Sequence, residues 1–372
     1  GADKAHRIVP YSWKLTTPLS NSEASANYKM VQDPTVTVRM KVRSWPMPMP
    51  ELEGLTPYVV IWTTTPWTLP ANLLACAGPE LDYVVVKDNG TTDAYLLAKD
   101  RLNAIYKDPK DYTILRELKG KELVGTKYEP IFNYFEARHP NDYRIVNDDY
   151  VTADDGTGIV HIAPAYGEDD YRICQKEGVA LEDPLDAECC FTSAAPDFEG
   201  MQCKAADKAV IKWLKEHGKL VHQDTIVHSY PYCERTDTPL IYKAIDAWYV
   251  RVEDLHERLL KNNAQTTWMP AAIGTHRFAN WLADAKDWNI SRNRFWGSCI
   301  PLWINVDDPQ DIICVDSVDT LEKLSGVKVT DLHKHFIDKI EILKDGKRYR
   351  RTPEVLDCWF ESGSMPYAQS HY

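Results

Sequence analysis

The chain has 372 residues, 44% hydrophobic and 26% charged, with a formal net charge of −12; this length predicts two domains, or one domain carrying a large insertion. No apolar run approaches the roughly 18 residues of a membrane helix, and the start GADKAHRIVPYSWK lacks an apolar segment before a small-residue cleavage site, so a soluble cytoplasmic protein with no membrane partner is expected. The acidic balance excludes a broad sheath of phosphate contacts and leaves room only for a local hold on nucleic acid.

Taken in chain order, the first half predicts short strands. In TVTVRMKVRS (35–44) Val36, Val38, Met40 and Val42 alternate with Thr37, Arg39, Lys41 and Arg43, the period of a half-buried strand. Residues 58–62 form a second, running into WTTTPWTLPANLLA (62–75), where β-branched threonines meet Pro66 and Pro70. Neither proline can donate to a ladder, and each pushes its predecessor into an extended conformation, so the strand should break into a rigid loop holding several hydroxyls in one place. Residues 81–100 carry an Asn89-Gly90 turn between apolar stretches, a hairpin signal. Further strands are expected near 112–118, 126–132, 143–147 and 158–162. Many short strands at this spacing predict a barrel or sandwich.

Residues 154–172, DDGTGIVHIAPAYGEDDYR, place Ile159, His161 and Ala163 on one face of a short strand ended by Pro164. Glu168, Asp169 and Asp170 then open a helix stopping at Gly178. Acids in a first turn complement the helix dipole, and a lone strand histidine is usually a satisfied core residue, so neither assignment is unique on pattern alone. A second helix, 206–217, stops at Gly218. Beyond about Ser229 amphipathic helical patterns (251–262, 275–285, 319–325) mix with Trp- and Arg-rich loops such as DWNISRNRFWG (287–297). There is no internal repeat. The nine cysteines are odd in number and scattered, which predicts reduced thiols. A zinc pair is not expected, because the near miss Cys233-Glu-Arg-Thr236 has threonine where a C-x-x-C needs its second ligand.

Five segments, WTTTPWTLPAN, GTGIVHIAPAYGEDDY, SYPYCERTDTPLIYKA, DWNISRNRFWGSCIPLW and DCWFESGSMPYAQSHY, occur in an order that closely resembles the cytosolic isoleucyl-tRNA synthetases of eukaryotes. The resemblance runs over essentially the whole chain. Related valyl and leucyl enzymes look more like T-T-R-P where this chain has Thr64-Thr65-Pro66-Trp67. The chain has no H-x-G-H, no K-M-S-K and no G-x-x-x-x-G-K, so no ATP-dependent charging is expected of it, and ATP belongs to the intact synthetase. The resemblance implies a mixed α and β fold: a junction segment (1–20), a β-barrel-like editing domain with flanking helices (21–228), and a smaller helical and irregular trailing segment (229–372) that returns to the synthetic domain and includes remnants resembling it.

The implied activity is hydrolysis of the ester in valyl-tRNA(Ile), with the tRNA 3′ end and the remainder of the synthetase as partners and no cofactor or metal. By the same resemblance Asp170 binds the substrate ammonium, while Asp169 stays a solvated helix-start acid. Thr63, Thr64 and Thr65 position the terminal adenosine, the ester and the water. Trp67 and Asn72 lie on the same peptide, with a core aromatic and a turn or cap residue as their alternatives. His161 lines the amino-acid pocket in preference to acting as general base. Ala165 and Tyr166 depart from the glycine common at that loop in relatives. Two other readings compete: a non-catalytic tRNA-docking fragment, and a free-standing deacylase of relaxed amino-acid choice.

Overall fold

The computed structural model describes residues 2–370, so His371 and Tyr372, which close the last quoted motif, lie outside the described residues. The chain divides into two compact units, one of Arg7–Ala244 and one of Gly1–His6 with Ile245–Tyr372. No helix among the described residues is long and apolar enough to cross a membrane.

The Arg7–Ala244 unit is mixed α and β with sheet dominating, as the sequence predicts. Its main sheet is built on strand β1 (Tyr28–Ser44), with β2 (Thr56–Thr63), β3 (Leu74–Ala77), β4 (Asp82–Asp88), β5 (Asp93–Ala98) and β6 (Tyr112–Lys119) following in the chain. After these come β7 (Ile145–Asn147), β8 (Ile159–Ile162), helices α1 (Glu168–Lys176) and α2 (Cys203–Glu216), and strand β9 (Leu220–Pro231). The main sheet runs β9-β1-β2-β5-β4-β6, with Lys127–Tyr128 also pairing β1, a half-barrel in keeping with the barrel-like fold the sequence predicts. Val36, Val38, Met40 and Val42 of β1 are buried while Lys41 and Arg43 are exposed, but Thr37, read from the sequence as outward-facing, is buried as well and Arg39 is half-buried, so the alternation is strict only from Met40 on. β4 and β5 pair antiparallel across the Asn89-Gly90 turn. Val60, Val84, Val86, Tyr95 and Leu97 form one buried cluster of this sheet.

Two expectations are corrected. The strand predicted at 126–132 is only Lys127–Tyr128, because Pro130 has no N–H to continue the ladder. β1 begins seven residues earlier than its alternating core, since Tyr28–Pro34 pair with β9 in a ribbon that the sequence did not announce. Leu19 and Ala24 pack with Cys233 and Leu240 in one apolar cluster of the same unit.

A second, smaller sheet decides the geometry of the site. β3 lies between β7, parallel to it, and β8, antiparallel to it, with Ala75 opposite His161 and Leu74 opposite Ile162.

In the other unit, Ile312–Cys314, Leu302–Asn305, Lys347–Arg351 and Ile342–Lys344 form a four-stranded antiparallel sheet over Trp303, Leu321, Ile337 and Tyr349. The pattern at 251–262 becomes a one-turn 3-10 segment and the α-helix His256–Ala264, and that at 275–285 a π turn, Ile273–Phe278, leading into Ala279–Ala283. In DWNISRNRFWG, Arg292 pairs with Asp357 of DCWFESG, and Phe295 and Trp296 are exposed.

Candidate functional site

β2 delivers Thr63, and a bend at Thr64 turns the chain into a 3-10 turn, Pro66–Ala71. Pro66 suits the first position because its fixed φ is already helical and its missing N–H would have had no partner. Thr63 Oγ1 accepts from the Thr65 N–H at 3.1 Å and lies 3.2 Å from Thr65 Oγ1, which in turn is 3.3 Å from Thr68 Oγ1. Thr64, half-buried, is not part of this hydroxyl chain.

The chain of hydroxyls ends on His161, which is 7% exposed. Its Nε2 is 2.8 Å from Thr68 Oγ1, and its Nδ1 is 3.0 Å from the Asn72 side-chain nitrogen. The Asn72 oxygen accepts from the Tyr128 hydroxyl at 3.0 Å, so the amide nitrogen faces the ring and donates to Nδ1. Nε2 therefore carries the proton and donates to Thr68, whose own hydroxyl donates to the Thr65 carbonyl at 2.8 Å. Burial holds the imidazole down at about 4, so it is neutral at physiological pH. Its one lone pair is already engaged by Asn72, which leaves none for taking a proton from water.

Asp170 stands in the first turn of α1 but folds back to the end of β8, where its Oδ2 accepts from the Ala163 N–H at 2.8 Å. Part of the residue remains accessible, yet surrounding protein dehydrates the carboxyl and pushes it up to about 7; the Asp169 charge adds to the rise, and the Ala163 bond opposes it. Asp169 is exposed and pairs with Arg172 at 2.9 Å. The two neighbouring aspartates thus have different environments, as the sequence reading expects. Trp67 is buried, its ring and that of Tyr166 meeting edge to face with centroids 4.9 Å apart. Tyr166 donates to Asp183 at 2.8 Å. Thr63, Thr65, Asn72 and His161 are therefore linked through one network, and Asp170 is tethered two residues beyond His161.

The sequence reading missed three participants: Thr68, Tyr128 and Asp207, the last accepting from the Trp67 N–H at 3.0 Å. Thr68 lay inside a quoted motif, but nothing in the spacing marked it as the histidine's partner. Among the described residues no group of three or more His, Cys, Asp or Glu is arranged to hold a metal ion.

The Gly156-Thr157-Gly158 turn feeds β8. Gly158 has φ +74°, and a Cβ there would come within 2.3 Å of the Ala98 Cβ, while its carbonyl accepts from the Tyr83 hydroxyl at 2.6 Å. Gly158→Ala combines left-handed strain with overpacking and should cost about 2–4 kcal/mol, read as a lowered urea midpoint at unchanged slope.

A family model for class I tRNA synthetases (I, L, M and V) matches residues 3–372. The chain belongs to the class I tRNA synthetases. Among synthetase relatives, the probable cytoplasmic isoleucine–tRNA ligase of Dictyostelium discoideum is 47% identical, covering 98% of this chain and 35% of that protein. The cytoplasmic isoleucine–tRNA ligase of Saccharomyces cerevisiae is 47% identical, covering 99% of this chain and 34% of that one. The chain thus spans about a third of the length of these synthetases. The editing domain of the P. knowlesi cytosolic leucyl-tRNA synthetase resembles 55% of this chain and 99% of its own at 13% identity and a TM-score of 0.39; membership of the class rests on the sequence match.

Proposed function

We propose that the Arg7–Ala244 unit is the editing domain of an isoleucyl-tRNA synthetase, hydrolysing the ester of valine mischarged onto tRNA(Ile) and excluding isoleucine. One methylene in a hydrophobic pocket separates two amino acids by only about 10–200-fold, a limit for which isoleucine against valine is the standard illustration, so such an enzyme needs a second, hydrolytic sieve. The observation that carries the reading is the hydroxyl chain of Thr63, Thr65 and Thr68 ending on a neutral, fully engaged His161, with the dehydrated Asp170 carboxyl tethered beside it.

Asp170 is suited to the α-ammonium, since a poorly hydrated carboxylate gains most from a cation. The hydroxyls of Thr63, Thr64 and Thr65 serve the ester, the ribose and a water, while the Thr65 and Trp67 N–H groups and the Thr68 hydroxyl hold the turn itself in shape. The water oxygen bonds to the ester carbonyl carbon as the ribose oxygen leaves, taking a proton, and valine departs with a free carboxyl. His161 bounds the pocket as a rigid wall. No protein nucleophile, metal or cofactor is invoked; ATP serves charging in the intact enzyme. The setting is cytoplasmic, the partners being the tRNA 3′ end and the rest of the synthetase.

The test is the purified chain with Val-tRNA(Ile) and Ile-tRNA(Ile) at high enzyme concentration. Valine should be released and isoleucine retained. Binding without release of either would leave only a docking fragment, and equal release of both a relaxed deacylase.

A further inference from the structure

Asp207 sits in the first half of α2 and is 7% exposed. Its Oδ1 accepts from the Trp67 N–H, 140 residues away in the chain. That N–H is the first donor the 3-10 turn has to offer, because Pro66 has none. Thr65, which precedes the turn, gives it no side-chain cap. The cap that a local Ser, Thr or Asp ordinarily supplies therefore comes from a helix packed on the turn.

What the turn carries makes this cap more than a fastening. Thr68 is held by the Thr65 carbonyl and receives the His161 Nε2–H, while Asn72 at the end of the turn donates to Nδ1. Both partners that fix the imidazole ride on the one element Asp207 grips. The carboxyl is kept there against its preference: burial pushes it up to about 7, with Lys204 on its own helix and Asp33 of β1 as the charged groups that act on it.

We infer that Asp207 is a positioning residue for the hydrolysis, its acceptor oxygen fixing the threonine-bearing turn and thereby the tautomer and placement of His161. The inference rests on the editing reading above. It assigns the effect to the acceptor and not to the charge, so an amide should serve in its place.

The experiment uses the whole chain with Asp207→Ala, Asp207→Leu and Asp207→Asn. Leucine fills the space without offering an acceptor, which keeps the test alive if the alanine variant fails to fold. Two readouts are taken beside a thermal melt: the ring 15N resonances of His161 without substrate, and kcat and KM for Val-tRNA(Ile). Losing the acceptor should replace the single Nε2–H pattern by a tautomer mixture and lower kcat about 10- to 100-fold, the scale of a small misplacement, with KM within about threefold. Asp207→Asn should restore the 15N pattern and most of kcat. The inference is overturned if folded Asp207→Ala or Asp207→Leu keeps the wild-type 15N pattern, or if Asp207→Asn is as impaired as they are. A wild-type chain that releases no valine would defeat the editing reading instead, and the 15N arm would still decide whether Asp207 positions His161.

Discussion

Asp170→Asn should give a protein that melts higher than the wild type at pH 8 and hydrolyses valyl-tRNA about 10- to 1000-fold more slowly. Both effects follow from one environment. In the fold the carboxyl is pushed up to about 7 by burial, whereas in the unfolded chain it has its ordinary value of 3.8. A group whose folded pKa is raised contributes stability that is fully present below the unfolded value and is lost as pH rises through the folded one. Wild-type stability should therefore fall between pH 4 and 7, and above pH 7 ionised Asp170 costs the fold on the order of 2–4 kcal/mol. Asparagine removes the charge and keeps an oxygen for the Ala163 N–H, so the variant should gain at pH 8 and not at pH 4. The lost charge is what a substrate ammonium needs. Binding of that ammonium requires the ionised carboxylate, so KM for Val-tRNA should improve as pH rises from 6 to 7.5. Asp169→Asn, at an exposed pair with Arg172, should change neither property much. Rates and melts at three pH values check this, and equal losses of activity in the two variants would remove Asp170 from the ammonium site.

The legible parts of the chain were those whose signal is local. Val36, Val38 and Met40 mark their strand by alternation, Asn89-Gly90 marks its hairpin, and α1 and α2 stop just before Gly178 and Gly218. The illegible parts depend on partners far away in the chain. Thr68 meets His161 from 93 residues off, and Asp207 meets Trp67 from 140. In the sequence Asp207 reads as an ordinary acid on an amphipathic helix; only the packing of α2 on the 3-10 turn makes it a buried cap. The ribbon of Tyr28–Pro34 with β9 escaped because its side chains alternate mainly between half-exposed and exposed, and because Pro34 suggested a break. That proline is tolerated where the sheet is two strands wide, since β2 begins pairing only at Val36. Resemblance to the synthetases supplied roles for the threonines, His161 and Asp170. It did not supply the hydrogen-bond chain that joins the threonines to His161.

His161→Ala should make the chain release isoleucine as well as valine. The imidazole is held on both sides, by Asn72 at 3.0 Å and Thr68 at 2.8 Å, so moving aside for a larger side chain would break both hydrogen bonds. In such a place the extra methylene of isoleucine, ordinarily worth about 0.8 kcal/mol of favourable burial, meets a wall, and overpacking a rigid site costs about 1–3 kcal/mol. Removing the ring deletes the wall. It also leaves Asn72 and Thr68 each with a buried polar group short of a partner, so the melting temperature should fall, and His161→Gln, which offers an amide to both, serves as the control for that loss. The expected pattern is a Val-to-Ile rate ratio that collapses toward unity in His161→Ala while the valine rate drops by less than about tenfold. A histidine acting as general base would give another pattern, with both rates depressed about 10²- to 10⁴-fold together and no gain of isoleucine release. A purely structural histidine would lower the melt and leave the ratio alone. Burial to about 4 and an engaged lone pair argue against the base, so the decisive quantity is the ratio: an unchanged Val-to-Ile ratio in folded His161→Ala would take His161 out of the sieve and leave size exclusion to other walls of the pocket.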